Sequence, residues 1–198
     1  MMVMGGEGSI IERLKQLHIV PLSISYEYDP CDYLKAREYQ LRRDIPFWKK
    51  TAEDDLESML IGIKGFKGHI FYSCAPCIDE WLDTLDTDLP KNKLFDAIAS
   101  HIDHEIHCNY KLYPVNYIAL DMIQDTKAYE EYYTLADYEK FDAYIAGQIE
   151  KINIENRDDK FLRTCLLTQY AYPAKNYIDA SSESGRLKSL LNRLTFKK

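Results

Sequence analysis

Two cysteines separated by two residues could carry out thiol–disulfide exchange. Cys74 and Cys77 enclose an Ala-Pro dipeptide and follow an apolar segment that the sequence predicts as a strand. In dithiol redox sites, such a pair supplies a thiolate that attacks a substrate disulfide. The alternative is two buried thiols beside a turn, and the small number of flanking βαβ elements favours it. A dithiol oxidoreductase is therefore kept as the third of three functional hypotheses.

A group of possible metal ligands recurs on one predicted helix: His101, His104, His107 and Cys108. Spacings of three place neighbouring imidazoles on adjoining turns, so two of them could bind one zinc ion. Cys74 and Cys77 could complete a four-ligand site. However, the acidic residues between the histidines are typical of a solvated helix face, and the spacing fixes no pairing. The sequence therefore predicts neither a bound metal nor a cofactor.

The composition is that of an ordinary globular protein. The 198 residues are 46% apolar and 29% charged, with a formal net charge of −7. A nucleic-acid surface normally carries a basic stripe, so this balance argues against nucleic acid as a partner. Five cysteines, a small and odd number, favour free thiols in a reducing compartment. With no visible secretory signal and no apolar run of about 18 residues, we expect a cytoplasmic protein.

Sixteen tyrosines are a second feature of the composition, with clusters before residue 40 and between residues 110 and 144. Tyrosine usually packs its ring inside and leaves its hydroxyl in water, so the packing of amphipathic helices is the favoured explanation. The alternative is a surface that lies on a membrane interface or a partner, where tyrosine is favoured.

Both predicted strands lie in the first 73 residues. Residues 19–26 are β-branched and nearly continuous in apolar character, which is typical of an interior strand covered on both faces. Pro21 fits the beginning of such a strand. Residues 69–73 are predicted as a second, shorter strand. Ser9 with Glu12, and Thr51 with Asp54, predict helix-capping boxes around these strands.

The other segments are helical in pattern. Asp32 is predicted to cap a helix over residues 33–43, and Thr51 precedes an apolar stripe that ends near Ile63. Apolar residues recur at helical spacing in four later segments and in a basic terminal one: residues 93–107, 117–123, 135–152, 160–170 and 184–194.

The fold class that follows is α/β, or α+β if the chain is a fragment, with a partial sheet of about two strands and a predominantly helical C-terminal region. Because open sheets typically contain about four to six strands, an interior strand lacks neighbours here. A partner could supply them, or the chain could be the C-terminal half of a larger enzyme. We expect an α/β region over residues 1–75 and a helical region over residues 76–198.

Residues 18–35, with the sequence HIVPLSISYEYDPCDYLK, carry a resemblance to a known family. The segment resembles glycerolipid acyltransferases of the lysophosphatidate type, and more narrowly a branch found in Bacteroidetes-like bacteria. Scattered matches continue at residues 54–56, 65–68, 103–106 and 109–119. The resemblance implies transfer of an acyl group from an acyl-CoA or acyl-carrier-protein thioester to a lysophospholipid hydroxyl, at the cytoplasmic membrane face. It implies no metal or other cofactor.

The family pattern includes a histidine followed five positions later by an aspartate, which together act as the general base and its carboxylate partner. None of the five histidines of this chain has an aspartate at that position. Glu7-Gly8 is similar to the glycerophosphate-binding motif, but Ser9-Ile10 follow where the family has a Thr-Arg-like pair. We therefore expect a truncated enzyme that is inactive alone, without a catalytic residue in this chain.

Only the apolar, proline-containing strand motif can be carried over, onto Val20, Pro21 and Leu22. The resemblance implies that these residues form a wall of the acyl or acceptor pocket. A core strand without substrate contact is the alternative. The second functional hypothesis is a non-catalytic helical binding or regulatory module that docks on a partner through an exposed strand edge.

Overall fold

The computed structural model describes residues 8–182. The predicted fold class is confirmed: a two-stranded antiparallel sheet is combined with a mostly helical remainder. The predicted helix over residues 184–194 lies outside the described residues.

The strands are β1 (Leu22–Tyr26) and β2 (Ile70–Cys74). The helices are α1 (Ile10–Lys15), α2 (Asp32–Asp44), α3 (Ala52–Lys64), α4 (Asp79–Leu82), α5 (Lys91–Cys108), α6 (Pro114–Gln124), α7 (Leu135–Glu150) and α8 (Asp159–Ser181), with a 3₁₀ turn at Glu130–Tyr132.

Helices α1, α3 and α7 begin with a reciprocal capping box, in which the cap side chain accepts from the third backbone amide and the third side chain accepts from the cap amide. The cap residues are Ser9 for α1, Thr51 for α3 and Thr134 for α7. Such caps satisfy two backbone amides that have no partner within the helix. The first two boxes were predicted from the sequence and are confirmed.

Helix α2 begins differently from the prediction. Its N-cap is Cys31, which makes no side-chain capping bond, and Asp32 is the first helical residue. The predicted capping role of Asp32 is wrong, because its carboxylate is buried and accepts hydrogen bonds from other elements.

The chain divides into two compact units, both of which draw residues from either side of position 75, the boundary expected from the sequence. The described part of the first unit contains residues 8–24, 71–110 and 176–182. Its core includes Ile11 and Leu14 of α1, Ile78 and Leu82 around α4, and Ile98 of α5. The short helix α4 thereby supplies part of the core.

The second unit contains residues 25–70 and 111–175. Its core includes Leu34 of α2, Ile118 of α6, Phe141 and Ile145 of α7, and Leu162 of α8, all of them buried. Helix α7 contacts both α2 and α6, which places the inner faces of these helices around one apolar interior. None of the helices in the described range has the length and apolar character needed to cross a membrane.

Candidate functional site

The predicted substrate-binding residues lie at the start of β1. Pro21 is buried, whereas the side chains of Val20 and Leu22 are 47% and 44% exposed. Along β1 the exposed positions are Leu22, Ile24 and Tyr26, and the two serines between them are buried. The prediction that this strand is covered on both faces is wrong, because its apolar side faces solvent.

Two backbone hydrogen bonds fix the register of the sheet. The amide of Glu27 donates to the carbonyl of His69, and the amide of Ala75 donates to the carbonyl of Pro21. In an antiparallel ladder these pairs place Leu22 opposite Cys74 and Ile24 opposite Tyr72, on the same side of the sheet. Cys74 and Tyr72 are also exposed. We call Val20, Leu22, Ile24, Tyr72 and Cys74 the apolar strand surface.

The buried side of β1 is held by serine hydroxyls. Ser23 is 1% exposed, and its Oγ donates to the carbonyl of Ile106 at 2.7 Å. Ser25 Oγ accepts from the amide of Lys111 at 2.9 Å. A shift of one residue in the strand pairing exchanges the two faces of the strand. Such a shift would break both hydrogen bonds and turn the serines, in place of the apolar side chains, toward solvent. The serines therefore fix the apolar strand surface toward solvent.

A second arrangement lies in the first unit, beside the start of α4. Nδ1 of His18 and Oδ2 of Asp79 are 2.7 Å apart, and the Sγ of Cys77 belongs to the same group of potential ligand atoms. The hydrogen bond from His18 is the main cause that lowers the pKa of Asp79, and the Cys77 thiol also lowers it. Sequence spacing could not reveal this group, because 61 positions separate His18 from Asp79.

The helical histidines do not join Cys74 and Cys77. Among the described residues, the group around Asp79 is the sole set of three or more potential ligand side chains gathered closely enough for one ion. His104 Nε2 lies 3.6 Å from the Sγ of Cys108, which confirms the proximity of neighbouring turns but adds no third ligand. His101 instead stacks on Trp81, with 3.9 Å between ring centroids.

Cys74 and Cys77 are thiols and are not joined in a disulfide. Cys74 is the last residue of β2 and is exposed, whereas Cys77 is half-buried and close to Asp79. The helix that follows has only four residues. Because a longer helix with its dipole aimed at the first thiol is what activates dithiol sites, this geometry gives the redox hypothesis no added support. It stays a prediction.

The second unit contains a buried carboxylate network around Asp32, which is 0% exposed. Its Oδ2 accepts from the hydroxyls of Tyr144 at 2.7 Å and Tyr170 at 2.6 Å. Its Oδ1 accepts from Nε2 of Gln148 and from the amide of Tyr33, both at 2.5 Å. Burial raises the pKa of Asp32 and of both tyrosine hydroxyls. With four donors from within the unit, the carboxylate ties α2 to α7 and α8.

A further buried carboxylate, Asp121, borders a cavity of about 750 Å³ in the second unit. It accepts from Thr126 Oγ1 at 2.7 Å, from the Tyr129 amide at 3.1 Å and from the Tyr133 hydroxyl at 2.9 Å. Burial is the main cause that raises the pKa of Tyr133 to about 12, and the bond to Asp121 adds to it. These contacts assign Asp121 to the folding of the loop after α6.

No family model, curated protein or solved structure matches this chain.

Proposed function

We propose that this chain is part of a glycerophospholipid acyltransferase, which moves an acyl group from a CoA or acyl-carrier-protein thioester to a lysophospholipid hydroxyl. The proposal starts from the resemblance of residues 18–35 to that family. It includes peripheral contact with the cytoplasmic face of the inner membrane, where such an acceptor lipid would be found.

The observation that supports it is the apolar strand surface. Leu22 and Ile24 are 44% and 41% exposed although their neighbours Ser23 and Ser25 are buried. Each methylene of an acyl chain gains about 0.8 kcal/mol when it leaves water for an apolar contact. A row of aliphatic side chains held toward solvent by a rigid ladder is suited to that contact. Val20 and Leu22 then act as the pocket wall that the family resemblance implies.

The proposal assigns binding, and not the chemical step, to this chain. In the family the general base is a histidine with an aspartate five positions on, and no histidine here has that partner. The thiol or thiolate of the donor leaves when the acceptor hydroxyl attacks the thioester carbonyl, so a base must take the hydroxyl proton. We expect the isolated chain to bind acyl lipid without turning it over.

The test is calorimetric titration of the full chain with lysophosphatidate kept below its critical micelle concentration. The variant is the double substitution Leu22→Ser, Ile24→Ser, and the matched control is Phe47→Ser, because Phe47 is 97% exposed elsewhere in the chain. We expect the double variant to weaken binding at least about tenfold, equivalent to about 1.4 kcal/mol, and the control to leave it unchanged. Glycerol 3-phosphate, which has no acyl chain, should not bind at the same concentrations.

Failure of the wild-type chain to bind, or equal binding by all three proteins, would refute the role of the apolar strand surface. Far-UV circular dichroism of each variant checks that the fold is kept. Incubation with a labelled acyl thioester and lysophosphatidate should give no transfer above the uncatalysed rate.

A non-catalytic binding module is the second candidate, and helix α3 favours it. None of its residues is buried, and Leu56, Met59 and Ile63 are exposed by 68%, 64% and 76%. Their spacing puts them on one side of the helix, which is the pattern of a helix that docks in an apolar groove. Under this alternative, substitutions on α3 abolish function while those on the apolar strand surface do not.

A further inference from the structure

We infer that His18, Cys77 and Asp79 form a binding site for a divalent transition-metal cation, with zinc as the preferred ion. This site is separate from the acyl-lipid proposal and does not depend on it.

The three side chains offer one nitrogen, one sulfur and one oxygen, and these atoms all lie within 4.8 Å of one another. Zinc bonds of about 2.0 Å to nitrogen and oxygen and about 2.3 Å to sulfur, arranged tetrahedrally, require ligand atoms about 3.3 to 3.8 Å apart. The site is thus close to the required size. Since His18 Nδ1 and Asp79 Oδ2 are now 2.7 Å apart, the ion would replace their hydrogen bond and separate them by roughly half an ångström.

An independent observation comes from the other carboxylate oxygen. Oδ1 of Asp79 is shielded from solvent and has no hydrogen-bond partner, although the side chain as a whole is 22% exposed. A shielded carboxylate oxygen without a donor is unfavourable, because it has lost water and gained nothing in return. A cation held by this carboxylate would supply the missing interaction.

The backbone around the site is fixed before any ion binds. The amide of Ile78 donates to the carbonyl of Ile19 at 3.0 Å, and the amide of Ala75 donates to the carbonyl of Pro21 at 2.9 Å. These bonds join the segment after His18 to the segment that carries Cys77 and Asp79. A preformed arrangement of this kind lowers the entropic cost of bringing the ligands together.

The donor set selects the class of ion. A thiolate with an imidazole favours zinc and cobalt over magnesium and calcium, which prefer oxygen ligands alone. Three protein ligands leave a fourth position, and the side chain of His18 is 76% exposed, so that position would face water.

The test is titration of the reduced, metal-free full chain with Co²⁺, followed by the absorption bands of thiolate-bound cobalt, and then competition with Zn²⁺. We expect one ion per chain, displaced by Zn²⁺, with affinity at least about 100-fold weaker in Cys77→Ser, His18→Ala or Asp79→Asn. Cys74→Ser removes a nearby thiol outside the group and should leave binding unchanged. His104→Ala, which removes a histidine that also lies beside a cysteine, is the second control.

Absence of cobalt–thiolate bands in the wild-type chain would overturn the inference. So would bands that survive Cys77→Ser and vanish in His104→Ala. Circular dichroism of Cys77→Ser, the most conservative of the ligand variants, separates a lost ligand from a lost fold. Because the readout is metal binding, the result is independent of any acyl-lipid measurement.

Discussion

Leu22 and Cys74 lie opposite each other on the solvent-facing side of the two-stranded sheet, in a register fixed by the hydrogen bonds from Glu27 to His69 and from Ala75 to Pro21. Leu22 is 44% exposed and Cys74 is also exposed. The pairing places an exposed thiol beside an aliphatic residue proposed to contact an acyl chain. Anything that covers Leu22 should therefore also shield the Cys74 sulfur.

Tyr170→Phe should destabilise the second unit. The substitution removes a donor from the buried Asp32 carboxylate while leaving the ring volume unchanged. Loss of a hydrogen bond to a buried charged group typically costs about 1 to 3 kcal/mol. Tyr172→Phe, on an exposed residue of the same helix, is the matched control and should change stability by less than about 0.5 kcal/mol. Urea unfolding followed by circular dichroism measures both, and equal effects would argue against the network.

The buried carboxyl group of Asp32 should make the free energy of unfolding depend on pH. Burial raises its pKa above the ordinary 3.8, so the folded state holds this proton more tightly than the unfolded chain does. Its contribution to the free energy of unfolding is therefore largest below pH 3.8 and declines as the pH rises through the raised pKa. We expect the stability of the wild type relative to Asp32→Asn to fall as the pH rises above the ordinary 3.8. A relative stability that grows over this range would instead indicate a lowered pKa.

Thr134→Ala should weaken the start of α7. Thr134 Oγ1 accepts from the Asp137 amide at 3.2 Å and donates to Asp137 Oδ2 at 2.7 Å. Removing such a cap costs about 1 kcal/mol. The bonds from Thr134 lower the pKa of Asp137, so the contribution of this carboxylate is present above the ordinary 3.8 and is lost as the pH falls through the lowered pKa.

Thr164→Ala is the control for that experiment. Thr164 lies inside α8, where its hydroxyl donates to the carbonyl of Lys160. Alanine is the better helix former at such a position, so we expect no loss of stability. A Thr134→Ala protein as stable as Thr164→Ala would contradict the capping assignment.

Leu56→Ser combined with Ile63→Ser should leave the stability of the fold nearly unchanged. Both residues are exposed on α3, and exposed substitutions usually change stability by less than about 0.5 kcal/mol. Leu166→Ala, in the core, should cost about 2 to 5 kcal/mol by comparison. If α3 is a docking helix, the double variant should also associate less at high concentration, which sedimentation velocity measures. A large loss of stability would show that this face is packed within the fold.

The sequence predicts the local features of the fold well. The boxes at Ser9 and Thr51 depend on residues three positions apart, so their spacing is visible in the chain. The second strand, predicted at residues 69–73, is found at Ile70–Cys74. The fold class follows from these elements.

Tertiary partners are what the sequence could not reveal. Ser23 is buried, and its hydroxyl donates a hydrogen bond to the carbonyl of Ile106, 83 positions away. The aliphatic residues of the strand therefore face outward, which reverses their usual orientation. In the sequence Asp32 resembles a helix cap, but in the structure its carboxylate accepts a hydrogen bond from Tyr170, 138 positions later. The His18–Asp79 pair is likewise formed by two residues that lie far apart in the sequence. In each case the sequence supplies both groups, but only the fold brings them together.

The most direct test of the proposed function uses Cys74 as a reporter of the apolar strand surface. The rate at which iodoacetamide alkylates Cys74 is measured by mass spectrometry, with the half-buried Cys165 as an internal reference. At a lysophosphatidate concentration that fills about nine-tenths of the sites, we expect alkylation of Cys74 to slow about tenfold, with no change at Cys165. Leu22→Ser with Ile24→Ser should abolish this protection. An unchanged Cys74 rate at saturating lysophosphatidate would contradict the proposal that this surface binds an acyl chain.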